Sequence, residues 1–459
     1  MLLQDHDRLV IKPARITVHG NLIERVDTSG VPAPTAEGTV VDLGDSLVTP
    51  AFVNAHTHLA LAFLRGVQTA SVRRNLVEDL FFAYESRLTP EDVRAFSRMG
   101  AYESLLSGVG LVWDHYYGGT AVADALVDTG LTGVVAPTLQ DLAGPDREGA
   151  QQAIATTLEI ASSERYRQAG VYAALGPHAT DTVSPGLFRQ VAELAEQHQL
   201  PVHLHLAQSY DELARVEARE GRSPLALLAR EGVLTRAPRV VMAHGLFVSV
   251  QDLASLEVDR HTLVYCPSSQ MQFAFPAPVT LWSELGLSWV VATDCAASND
   301  SMNLQKELRL CAGAASSGLT SGLEYASFLA SGDASHARET WQERGERVGT
   351  WAKEVTSERL LQRVFDAPGK LHPGVVAGSI ERGALASLIA WNTEHPAFWP
   401  GHDLLRGLAM SDTTPAIHAL MVAGKWVGEA GHVCESVLAS DGYRESRREA
   451  SERLDALLR

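Results

Sequence analysis

VTPAFVNAHTH, residues 48–58, is an apolar run that closes on two histidines with one residue between them. An apolar run this short, bounded by turn residues, reads as a buried strand. Alternate side chains of a strand point the same way, so His56 and His58 face one side together. Seven runs of the same kind follow: VGLVWDHYY (109–117), LTGVVAPTLQD (131–141), AGVYAALGPHA (169–179), LPVHLHLAQ (200–208), RVVMAHG (239–245), HTLVYCP (261–267) and LSWVVATDC (287–295). Helical stretches separate them. TPEDVRAFSRMGAYESLLSG (89–108) has Thr89 as cap, Pro90 at the first helical position and Gly108 past the end. Eight strands alternating with helices over about 250 residues predict a closed parallel (β/α)8 barrel of the TIM type, an α/β fold. The rival is a doubly wound sheet, but no GxGxxG or phosphate-binding loop stands where that fold would place one.

The flanks differ from the barrel. Residues 1–48 read as short strands broken by Gly, Pro and Asp, and the pattern returns in VVAGSIERGALASLIAWN (375–392) and HALMVAGKWVGEAGHVC (418–434). The expected organisation is a composite β-sandwich from 1–48 plus 378–435, a barrel over 49–377 and a C-terminal helix over 436–459. Residues 300–370 read as a mixture of helix and loop without a clear pattern.

Composition narrows the function. The chain has 459 residues, of which 46% are hydrophobic, enough for one large core with a smaller domain. Its net charge is −17, which repels phosphate backbones and makes nucleic acid a poor partner. Cys266, Cys295, Cys311 and Cys434 show no CxxC spacing and no disulfide-dense pattern, as expected for a reducing compartment. MLLQDHDRLVIK lacks a basic segment followed by an apolar one, and no run of 18 apolar residues exists, so a cytoplasmic protein without membrane contact is expected.

The polar residues collect at the strand ends. His56 and His58 end the first strand, His178 the fourth, His205 and Gln208 the fifth, His244 the sixth and Asp294 the eighth. The C-terminal ends of barrel strands face one shared mouth, so these residues are expected to converge. His56, His58, His205 and Asp294 would give one divalent cation three imidazoles and a carboxylate. Zn²⁺ is the first expectation, with Fe²⁺ or Mn²⁺ as the others. Such an ion makes hydroxide available from water near neutral pH. Asp294 is the candidate acceptor of the water proton, and His244 the candidate group that polarises the attacked atom. His115 and His203 read as ordinary strand histidines, and Cys295 as packing. Ser298 and Asn299 read as braces of the loop after Asp294, and LARVEARE (213–220) as a solvated charged face.

TPAFVNAHTHLALAFLRG, GPHATDTVSP, HLHLAQSYDE, MAHG, CPSSQMQ, TDCAASNDSMNLQKELRL, GSIERGALASLIAWN and VAGKWVGEAG occur in this order over nearly the whole chain. With these motifs the chain resembles the amidohydrolase superfamily, in its branch of triazine hydrolases and S-adenosylhomocysteine and guanine deaminases. The resemblance implies a barrel with a flanking β-sandwich built from both chain ends. It implies His56, His58, His205 and Asp294 as metal ligands, His244 as a catalytic histidine near the water and His178 as a substrate contact. Two positions depart from the pattern. The HxHxxE motif usually ends in a glutamate that shuttles protons to a substrate ring nitrogen, and here Gln208 stands in that place. An amide can orient a substrate but cannot act as a general acid near neutral pH. The segment VRRNLVEDLFFAYESRLTP (72–90) carries Phe81, Phe82 and Tyr84 where nucleoside-processing relatives carry tryptophan.

The leading expectation is hydrolysis of a C–N bond in a cyclic amidine, deaminating a purine, pterin or triazine-like heterocycle. Asp294, His244 and Gln208 are the candidate catalytic residues. His178, Gln208, Phe81 and Arg65 are the candidate substrate contacts, Arg65 as an anchor or a loop-tethering residue. A small heterocycle is the expected partner, with a homodimer as the assembly. Two alternatives stay open. One is hydrolysis of another leaving group (halide, alkylamine or cyclic amide), and the other is a barrel that has lost catalysis and serves as an assembly or binding protein.

Overall fold

The protein is described from a computed structural model that covers residues 1–5, 8–30, 38–67, 77–273, 275–316 and 322–459. All eight apolar runs of the barrel form strands. They are β1 Phe52–Thr57, β2 Val109–Tyr116, β3 Thr132–Leu139, β4 in two pieces (Val171–Ala173 and Gly176–Pro177), β5 Val202–Leu206, β6 Val240–His244, β7 His261–Tyr265 and β8 Trp289–Val291. Nearly every residue of these strands is buried, which is why the runs are continuously apolar rather than alternating.

Parallel ladders join β1 to β2, β2 to β3, β3 to both pieces of β4, and β5 through β6 and β7 to β8. Two seams close the circle. The bridge Leu175–Val202 and the bond from His205 N–H to the His178 carbonyl (2.9 Å) tie β4 to β5. The bond from Asp294 N–H to the His56 carbonyl (3.1 Å) ties the end of β8 to β1.

The helix Pro90–Leu106 begins as expected, with Thr89 and Asp92 forming a reciprocal capping box. Gly108 then takes φ +81°, and a Cβ there would sit 2.8 Å from Ile389 Cδ1, so glycine is required twice over. The terminal helix Asp441–Leu458 packs on Pro90–Leu106 through Arg453–Asp92 (3.1 Å), Arg98–Glu449 and the Tyr102–Tyr443 ring pair. The stretch 300–370, which showed no clear pattern, is largely helical, with Leu304–Ala312, Leu323–Ser331, Ala334–Trp351 and Ser357–Gln362.

A separate antiparallel sheet has the order Lys425–Val427, Ile417–Val422, Leu388–Trp391, Leu47–Pro50. The strand Leu47–Pro50 is therefore an edge of a sheet made otherwise from residues more than three hundred positions later. Its Thr49 hydroxyl accepts from Trp391 Nε1 at 2.9 Å. Ile23, Val48, Ile380, Ala384, Ala386, Ala390, Ala419 and Met421 form a small core of their own on this side. Among the described residues, no helix is long and apolar enough to cross a membrane.

Candidate active site

The strand ends converge as their sequence spacing predicts. Three non-glycine residues there adopt left-handed backbone: Ala207 (φ +47°), His244 (φ +80°) and Asp294 (φ +59°). Such residues are uncommon and costly, and they persist where surrounding structure fixes a functional geometry. His244 ends β6, Ala207 follows β5 by one residue and Asp294 follows β8 by three, all where the chain turns at the mouth.

The imidazoles of His56, His58 and His205 and the Asp294 carboxylate lie together under the mouth, all buried. Asp294 Oδ1 is 3.4 Å from His58 Nε2 and 3.7 Å from His56 Nε2. In each ring the far nitrogen is already held. His58 Nδ1 bonds the His115 carbonyl, His205 Nδ1 the His178 carbonyl (2.9 Å), and His56 Nδ1 meets His203 Nε2 (2.9 Å). A ring nitrogen facing a carbonyl must carry the proton, which leaves Nε2 of His58 and His205 as bare lone pairs. Those two atoms stand 3.3 Å apart. Two lone pairs face to face repel unless a cation lies between them. His56 Nε2 is buried and has no hydrogen-bond partner among the described residues. This donor set fits a borderline divalent cation, with the outer nitrogens fixed by the kind of contacts that orient metal-binding histidines.

Electrostatics point the same way. Burial pushes the His58 and His205 imidazoles down to about 4, and those of His56, His178 and His244 well below their ordinary range, so all are neutral at pH 7 as ligation requires. Asp294 is pushed up by burial, against the pull of His205. Its Oδ1 accepts the Cys295 N–H (2.8 Å) and its Oδ2 the Ser298 hydroxyl (3.3 Å).

Above this centre lies a cavity lined by Phe81, His178, Gln208 and His244, together with Glu85 and Tyr116. His178 Nδ1 is fixed by Thr182 Oγ1 at 2.9 Å. Gln208 donates its backbone N–H to Glu212 Oε2 (2.8 Å), while its side chain borders the cavity. Residues 72–76 of the segment before Phe81 lie outside the described residues.

Three readings of the sequence need amending. Arg65 does not line this cavity. It follows a short helical turn, Leu59–Leu64, that carries it outward to pair with Glu103 at the protein surface. His203 is not an ordinary strand histidine, since it holds the outer nitrogen of His56. The stretch 213–220 is not wholly solvated either: Arg219 donates to the Thr180 carbonyl (2.7 Å) and Arg215 pairs with Asp181 (3.2 Å), tethering the loop after β4. Ser298 and Asn299 do brace the last loop, Asn299 Nδ2 donating to the Thr293 carbonyl and to Glu307 Oε1, both at 2.8 Å. Glu85, Glu212 and Glu307 went unmarked in the sequence. Each lies in a helix, where a lone glutamate gives no signal of burial.

Residues 47–329 match the model of the amidohydrolase family. The 5-methylthioadenosine/S-adenosylhomocysteine deaminase of Nitratidesulfovibrio vulgaris Hildenborough is 31% identical over 68% of this chain and 70% of its own length. That of Thermococcus kodakarensis is 26% identical over 91% and 90%. Among solved structures, the zinc-complexed atrazine chlorohydrolase of Arthrobacter aurescens superposes with a TM-score of 0.77 at 19% identity, covering 100% of this chain and 98% of that one. With the family match spanning well over half its length, this chain belongs to the amidohydrolase family.

Proposed function

We propose that the protein is a zinc-dependent aminohydrolase that releases ammonia from an amino-substituted purine-like ring. The observation that carries this reading is the meeting of three neutral imidazoles and one carboxylate beneath a cavity walled by aromatic and uncharged polar groups. His56, His58, His205 and Asp294 would hold the ion, which when bound supplies a water acidic enough to attack at neutral pH. Asp294, with Oδ2 turned to the Ser298 hydroxyl, takes the proton from the attacking water and passes it to the departing amine. His244 hydrogen-bonds the attacked group from the end of β6. Gln208 and His178 orient the ring, and Phe81 packs against its face.

The deaminase names of the sequence relatives support an amine as leaving group. Gln208 favours a second reading, because loss of a halide needs no protonation and therefore no acid at that position. The test is release of ammonia from 5-methylthioadenosine and S-adenosylhomocysteine, set beside release of chloride from atrazine. Metal-loaded protein that frees ammonia supports the first reading. Chloride without ammonia supports the second, and neither, in protein that also fails to bind zinc, would mark a non-catalytic barrel.

A further inference from the structure

Two carboxyl groups border the cavity among the described residues, Asp294 and Glu85. Asp294 belongs to the metal cluster. Glu85 ends the short helix Phe82–Glu85, and its half-buried side chain shares the cavity wall with Gln208, His178, Tyr116 and Tyr117. Among the described residues no lysine or arginine borders the cavity, so none of these offers Glu85 a cation to pair with. Its neighbours at the end of β2 are the phenols of Tyr116 and Tyr117, both pushed well above their ordinary range and so uncharged, and His178 at the end of β4 is neutral. In that setting burial pushes the Glu85 carboxyl up to about 8, the Tyr116 hydroxyl working against the shift, so it carries a proton at neutral pH. A protonated carboxyl facing a substrate cavity is the chemical property that Gln208 lacks.

We propose that Glu85 is the proton donor of the reaction, supplying from the helix side of the cavity the acid that Gln208 cannot be. The inference rests on the aminohydrolase reading. As the water oxygen bonds to the ring carbon, Asp294 takes one water proton and Glu85 gives its proton to the adjacent ring nitrogen. The C–N bond then breaks, and the proton on Asp294 leaves with the amine as ammonia. The remaining hydroxyl proton returns to Glu85 as the ring carbonyl forms. One water is consumed, and one ammonia and one cyclic amide result.

The experiment compares wild-type, Glu85→Gln and Glu85→Asp holoenzymes on 5-methylthioadenosine, with zinc content and thermal midpoint measured for each. Glu85→Gln should keep its zinc and its midpoint, lose about 10²–10⁴-fold in kcat as a lost general acid does, and hold KM within a few-fold. The alkaline limb of the wild-type kcat profile, near pH 8, should vanish with it. Glu85→Asp should keep part of the rate, and Gln208→Glu placed in the Glu85→Gln background should restore part. An unchanged kcat with a raised KM would make Glu85 a binding group and overturn the inference, as would an alkaline limb that survives in Glu85→Gln. Either leaves the aminohydrolase reading standing. Failure of the wild-type enzyme to release ammonia would sink that reading and the inference together.

Discussion

The Nε2 atoms of His58 and His205 stand 3.3 Å apart while both Nδ1 atoms are committed to backbone carbonyls. Among the described residues no group separates the two lone pairs, so the pair should depend on a bound cation for its stability. Stripping the ion with a chelator should lower the thermal midpoint. Returning zinc to about a hundred times its dissociation constant should restore about 2.7 kcal/mol through binding linkage alone. His56→Ala and His205→Ala should lose most of the metal and the activity together, by elemental analysis and by assay. Full occupancy in either variant would remove that residue from the ligand set.

Glu307 predicts a pH effect on the fold. It is fully buried, accepts from Ser268 N–H (2.9 Å), Ser268 Oγ (2.6 Å) and Asn299 Nδ2 (2.8 Å), and is pushed by burial up to about 7. A carboxyl whose pKa is higher folded than unfolded adds stability that is complete below its unfolded value. That stability drains away as pH rises through the folded value. The window runs from about 4.5 to about 7. Over it the wild type should lose of order 3 kcal/mol relative to Glu307→Gln, which has no proton to lose. Denaturation curves of both proteins at several pH values would show a gap that changes with pH, and a constant gap would refute the assignment.

The antiparallel sheet predicts how the chain ends depend on each other. We propose that residues 1–48 and 378–435 act as one unit. Deleting residues 1–48 would strip Leu47 and Val48 from the edge strand and leave Leu388–Trp391 without half of its partner. An unpaired, apolar strand edge invites pairing with other chains. The truncated protein should therefore aggregate, as seen by light scattering, and a soluble, fully active truncation would contradict this.

The barrel was legible in the sequence because each of its strands is buried on both faces, so each appears as a dense apolar run with a polar residue at its end. The metal cluster was legible for the same reason: His56, His58, His205 and Asp294 are the polar ends of three such runs. The supporting contacts were not. His203 looks like any inward strand residue until β5 is laid against β1 across the barrel, and only then does its Nε2 meet His56. Glu85, Glu212 and Glu307 carry no pattern, because burial of a helical glutamate is decided by what packs on it. Arg65 misled because it follows the metal motif closely in sequence, whereas the helical turn between them rotates it outward.

Gln208 borders the cavity beside the metal cluster, and its variants give the most direct reading of the chemistry. Its backbone is pinned by Glu212 at 2.8 Å, so substitutions of the side chain should leave the loop in place. As an orienting group it offers one or two neutral hydrogen bonds, worth about 1 kcal/mol each. Gln208→Ala should then cost about five- to thirtyfold in kcat/KM on an amino-heterocycle. Gln208→Glu separates the two accounts of the missing acid. If the site is a deaminase disabled at this position, a restored glutamate should raise turnover by about 10²–10⁴-fold. If protons are already handled elsewhere in the cavity, a second carboxyl gains little, and its charge near Asp294 should if anything slow the reaction. We expect the second outcome, with turnover on 5-methylthioadenosine changed by less than tenfold or so. A gain of several hundredfold would show that the cavity lacks an acid and that Glu85 does not supply one.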